Sequence, residues 1–101
     1  TEVIYDLAGA RVLVTSFEGD AVRWWDVAAD GTLSGGGTIG SVPLADRADM
    51  LRRGPNAGLT LVTAVTEVQT FRWRATGLTR DARLNLGEGS DKIVSDVAIE
   101  P

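Results

Sequence analysis

The 101 residues contain no cysteine and no histidine. Without cysteine there is no disulfide and no thiolate metal site, and the redox compartment leaves no mark on the chain. Without histidine the commonest general base and metal ligand is gone, and with it Ser-His-Asp and His-metal chemistry. Positive charge is also scarce: ten basic residues, of which only Lys92 is a lysine, stand against fourteen acidic ones, for a net charge of −4. Phosphate binding needs a basic surface, so nucleic acid is excluded as a partner, and a polybasic membrane patch is excluded for the same reason. No apolar run approaches the roughly 20 residues of a membrane helix, so no membrane insertion is expected. The opening TEVIYDLAG carries no positive n-region of a secretory leader. Scarce lysine beside abundant Ala, Gly and Asp fits a GC-rich bacterial genome and leaves cytoplasm and secreted space both open.

What remains reads as strands. RVLVTSF (11–17), AVRWWDVA (21–28), LTLVTAV (59–65) and VQTFRWRAT (68–76) are short runs of Val, Thr, Phe and Trp, which suit a pleated, half-buried surface. EGD, ADGT, SGGG, RGPNAG and GEGSD lie between the strand segments and carry turn chemistry. Strand plus turn recurs every ten residues or so, the spacing of an all-β sandwich, barrel or propeller. LADRADMLRR (44–53) competes as a helical turn by propensity, but the repeat described next assigns it to a strand.

Leu13-Val14-Thr15 recurs as Leu61-Val62-Thr63, Arg23-Trp24 as Arg72-Trp73, and Ile39-Gly40 as Leu86-Gly87, in the same order and at offsets of 48, 49 and 47. A period near 48 divides the chain into two units of four short antiparallel strands, about 1–43 and about 44–90. An extra strand follows at about 91–101 (KIVSDVAIEP), which reads as the opening of a third unit. Four strands at this period is the pattern of a propeller blade.

VSDVAIEP, RVLVTSF and AVRWWDVAADGTL resemble the blades of bacterial WD40-like β-propellers, whose third strand often ends in Trp-Asp before a glycine turn. Trp25-Asp26 with Asp30-Gly31 takes that place in the first unit. The second unit has Arg74-Ala75 there, and the Gly-His dipeptide of strict WD40 repeats is missing throughout. The resemblance implies an all-β fold of two antiparallel four-stranded propeller-type blades, part of a larger or oligomeric β-propeller, and propellers commonly serve as binding or scaffolding platforms. Closed propellers use about four to eight blades, and a stacked unit with no neighbour leaves a face bare. Either several copies form a homo-oligomer or the chain is a fragment of a longer one.

Side chains alternate along a strand, which puts Val22, Trp24 and Asp26 on one face and Arg23, Trp25 and Val27 on the other. By the repeat, Trp24 and Trp73 are equivalent and pack between blades, tryptophan supplying the largest apolar body. Trp25 is matched instead by Arg74. A position that takes Trp or Arg reads either as core on the second face or as an interface anchor. Trp25, Arg23, Arg72 and Arg74 are therefore the candidate binding residues, with the arginine stems expected over aromatic faces and paired with Asp or Glu.

Other chemistry finds less support. Glu18, Asp20, Asp26, Asp30, Asp46 and Asp49 gather near turns with no spacing that selects a catalytic pair, and turn aspartates bond their own backbone. DVAADGT lacks the spacing and closing glutamate of a calcium loop. SGGG (34–37) is followed by no Lys-Ser/Thr, and its glycines read as room for a bend or close backbone approach in an outer strand. LRRGPN (51–56) is a local positive cluster suited to an acidic partner. No cofactor, metal or catalytic residue is expected. The function that follows is a non-catalytic binding or assembly module contacting protein, its own copies or other subunits, or glycan. The alternatives are a purely architectural subunit and a carboxylate-dependent hydrolase built on Asp6 and Asp96.

Overall fold

Runs rich in β-branched and aromatic residues supply the inner strands of eight: β1 (Glu2–Tyr5), β2 (Arg11–Thr15), β3 (Ala21–Val27), β4 (Leu33–Gly40), β5 (Ala45–Met50), β6 (Thr60–Ala64), β7 (Glu67–Arg74) and β8 (Gly77–Asn85). They come from a computed structural model that describes residues 2–16 and 19–85. Among these residues there is no helix, and the ambiguous segment 44–53 supplies β5. The extra strand at about 91–101 and the Leu86-Gly87 landmark lie outside the described residues.

Each sheet is an antiparallel meander, β1-β2-β3-β4 and β5-β6-β7-β8. The ADGT turn closes as its chemistry dictates: Asp30 Oδ1 accepts from the Thr32 N–H at 3.0 Å and from its hydroxyl at 2.7 Å. In β4 the glycine run does what bulk would prevent. Gly36 has φ +92, and a Cβ there would sit 2.0 Å from the Trp24 carbonyl oxygen, at the register shift between Trp24 and Asp26.

The two sheets stack face to face in the same sense. β1 lies over β5 and β4 over β8. The starts of the first strands also meet, with Arg47 Nη1 3.4 Å from Glu2 Oε1. Sheets stacked this way, like successive cards, present opposite faces to each other. The inner face of the first sheet, Leu13, Val22, Trp24 and Ile39, meets the inner face of the second, Ala45, Ala48, Val62, Ala64, Phe71, Trp73 and Leu78, with Val42 of the linker between them. The linker is held down by buried Gln69, whose Nε2 donates to the Ser41 carbonyl at 2.9 Å while its Oε1 accepts from Arg80 Nε at 2.9 Å. Both amide ends of this buried side chain are thus satisfied, as burial requires.

The register corrects one expectation. Thr15 pairs with Val22 and Thr63 with Val68. The two threonines also do the same work, accepting the N–H of Glu2 and of Arg47 respectively, each at 3.0 Å. Six residues separate Thr15 from Val22 but only four separate Thr63 from Val68, so β2 matches β6 at an offset of 48 while β3 matches β7 at 46. Trp24 therefore matches Thr70, and Trp25 matches Phe71. The Arg-Trp likeness at offset 49 is three residues out of register, and an odd slip moves a side chain to the opposite face. Trp24 and Trp73 do both lie between the sheets, but they come from opposite sides and meet edge to face, ring centroids 6.1 Å apart and planes at 89°. They are partners, not equivalents, and Arg74 is not the counterpart of Trp25.

Candidate functional site

Two places on the molecule carry the residues singled out by sequence. The first is a cleft of about 280 Å³ at the end of the sheets where the β1–β2 turn meets the β5–β6 loop, bordered by Leu7, Ala8, Ala57, Gly58 and the end of β7 at Arg72, Trp73 and Arg74. Its fixed centre is Asp6 and Arg11. Asp6, 6% exposed, accepts on Oδ1 from the N–H groups of Ala10 at 2.8 Å and Arg11 at 3.1 Å, and on Oδ2 from Arg11 Nε at 3.0 Å. Arg11 Nη1 reaches across to the Arg74 carbonyl, and the guanidinium carbon lies 4.7 Å from the centroid of the Trp73 ring. A cation so placed over an indole is attracted by the ring quadrupole. One turn of the first sheet is thereby tied to the last residues of β7 in the second.

Burial alone would raise the pKa of Asp6, but the Arg11 side chain and the two backbone donors outweigh it and hold the carboxyl below its ordinary 3.8. A folded-state pKa below the unfolded value stabilises the fold fully above that range, and the contribution is lost as pH falls through the depressed value. Stability is therefore expected to decline below pH 3.8. Asp6→Asn is expected to cost about 1–2 kcal/mol at neutral pH and to shrink that acid dependence, read by denaturant melts across pH. Glu67, lowered by its hydrogen bond to Arg83, keeps some of the acid dependence in the variant.

The second place is the outer face of the first sheet. Trp25 stands there half-buried beside exposed Arg23, and Arg23 borders a shallow hollow of about 210 Å³ with Val14, Ser16, Gly19, Asp20 and Ala21. The four candidate residues are thus divided, Arg72 and Arg74 at the cleft and Trp25 and Arg23 on the outer face. Of the expected pairings one is seen among the described residues, Arg72 Nε to Asp81 Oδ2 at 3.5 Å. The arginines that lie over rings are Arg11 on Trp73 and Arg80 on Phe71, neither of them among the candidates. Asp6 was visible in the sequence only as an acid of the opening strand. Its neighbourhood, an aspartate closing a Gly-containing turn before Arg11, is the signal that marks the pair.

Chemically the cleft is an ion pair with an aromatic wall. Asp6 is ionised and has donors on both oxygens, so it has no proton to give. Among the described residues no group of three or more His, Cys, Asp or Glu side chains is placed to hold a metal ion. Comparison with protein-family models, curated proteins and solved structures found no match.

Proposed function

We propose that the chain is a non-catalytic binding and assembly module of the β-propeller type, its two sheets being consecutive blades of a larger stack. The observation that supports this reading is the sense of stacking, first strand over first and fourth over fourth. Packing of that kind does not close on itself: a two-fold sandwich hides the same face of both sheets, whereas among the described residues this one leaves a different face outermost at each end. Val3, Tyr5 and Leu33 are each more than half exposed on the outside of the first sheet, and Leu84 on the outside of the second. Large apolar side chains left exposed on a sheet face are candidate contact points for another protein.

The hydrolase alternative is not favoured by Asp6, which is engaged as described, and its second acid, Asp96, lies outside the described residues. Protein, first of all other sheets of the same kind, is the proposed partner, through the outer sheet faces that carry Val3, Tyr5 and Leu33 at one end and Leu84 at the other. Sedimentation velocity tests the reading: the 101-residue chain, 10.7 kDa, is expected to sediment as a multiple of that mass. A single species of 10.7 kDa at every concentration would contradict it.

A further inference from the structure

The matched register shows what each bare face is made of. Counting from the pairs Thr15–Val22 and Thr63–Val68, the inner face of the first sheet maps onto the outer face of the second. Leu13 falls on Leu61, Thr15 on Thr63, Val22 on Val68, and Ile39, paired to Val22, on Leu84, paired to Val68. Three of these four positions keep the same residue and the fourth exchanges Ile for Leu. In the first sheet this set seats the second sheet, with Leu13, Thr15 and Val22 wholly buried. In the second sheet the same set faces away from the first sheet: Thr63 is buried under its bond to the Arg47 N–H, Leu61 and Val68 are half-buried, and Leu84 is 60% exposed.

The complementary face is repeated as well. The inner face of the second sheet maps onto the outer face of the first: Met50 onto Tyr5, Ala48 onto Val3, Val62 onto Val14, and Phe71 onto Trp25. Phe71, wholly buried, is the aromatic body that the second sheet drives into the first. Trp25 is the aromatic in the same position on a face over which no other sheet lies among the described residues. Each bare face is therefore the counterpart of one half of an interface already formed inside the chain, and the two halves sit at opposite ends of the stack.

We propose that copies of this chain associate head to tail, the outer face of the first sheet of one copy seating on the outer face of the second sheet of the next, with Trp25 inserted where Phe71 inserts within a copy. This rests on the assembly reading above and names its partner as a second copy. A heterologous contact of this kind makes a ring if the rotation closes. A symmetric contact of first sheet on first sheet would instead oppose Trp25 to Trp25 and leave Leu61, Val68 and Leu84 uncovered.

Two substitutions at exposed positions, Tyr5→Glu on one face and Leu84→Glu on the other, separate these arrangements. Each spoils one face, and far-UV circular dichroism confirms that the sheets persist. Head-to-tail packing predicts that each variant alone loses self-association by about a hundredfold, while an equimolar mixture forms a one-to-one dimer through the two intact faces. Trp25→Glu should behave as Tyr5→Glu and dimerise with Leu84→Glu. If Leu84→Glu alone assembles like the parent chain, the contact is first sheet on first sheet and the proposal falls. Assembly of Tyr5→Glu alone would place it on the second sheet, with the same consequence. A mixture that stays monomeric also overturns the proposal. A parent chain that is itself monomeric overturns the assembly reading too, so the two failures are told apart before any variant is made.

Discussion

Phe71→Ala is expected to remove about 3–5 kcal/mol of folding stability. Phe71 is wholly buried at the centre of the contact between sheets, on a strand hydrogen-bonded on both sides, between β6 and β8. Strands so constrained cannot slide in to fill the space an alanine leaves, so the cavity cost adds to the lost transfer energy. A domain of this size commands only about 5–15 kcal/mol in total, so the variant should melt at far lower denaturant. The Arg80 guanidinium, 5.9 Å from the ring centroid, loses its aromatic neighbour too. Leu84→Ala, at an exposed position, should cost well under about 1 kcal/mol in the same measurement.

Gly77→Ala is expected to cost about 2–4 kcal/mol, for two reasons that can be separated. Gly77 opens β8 with φ +136, a conformation that a side chain strains. A Cβ there would lie 2.2 Å from Cζ2 and 2.6 Å from Cη2 of Trp24. That indole is the edge partner of Trp73 across the sheets, so pushing it aside disturbs the contact between sheets as well as one turn. In a Trp24→Leu background the steric part should vanish and leave only the backbone strain, about 1 kcal/mol. A cost that stays the same in both backgrounds would mean that the backbone, not the indole, explains the effect.

Much of the fold was readable from the residues because strand geometry is local. Runs such as RVLVT and AVRWWDV are dense in the β-branched and aromatic residues that suit a pleated, half-buried surface. The Asp30 turn is built from chemistry adjacent in the chain, and the glycines of β4 were readable as room for close approach before Trp24 supplied the approaching carbonyl. Register was not readable. The dipeptide Arg-Trp recurs at an offset of 49, while the true offset of the third strands is 46, hidden in the sequence because the connection between matched pairs is two residues shorter in the second sheet. Only hydrogen-bond partners reveal such a deletion.

The site was less accessible still. Arg23, Arg72 and Arg74 stand next to aromatic residues in sequence, but neighbours along a strand point to opposite faces. The guanidiniums over rings therefore come from another strand, Arg80 from β8, or from another sheet, Arg11 from β2. The ion pair at the cleft does join residues five apart, yet its aromatic wall, Trp73, lies 62 positions beyond Arg11. Such a meeting depends on how the sheets stack, which no local pattern encodes.

The assembly requires the second sheet to lie on the first in the same sense, so that Trp24 and Trp73 face each other while Leu61 and Val68 face out. Nuclear Overhauser contacts from the Trp24 indole measure this directly. Contacts to the Trp73 ring and to the Gly77 α-protons, with contacts between Glu2 and Arg47 at the other end, are the predicted result. Contacts from the Trp24 indole to Leu61 or Val68 of the same chain would mean that the second sheet presents its other face, and the account would be wrong.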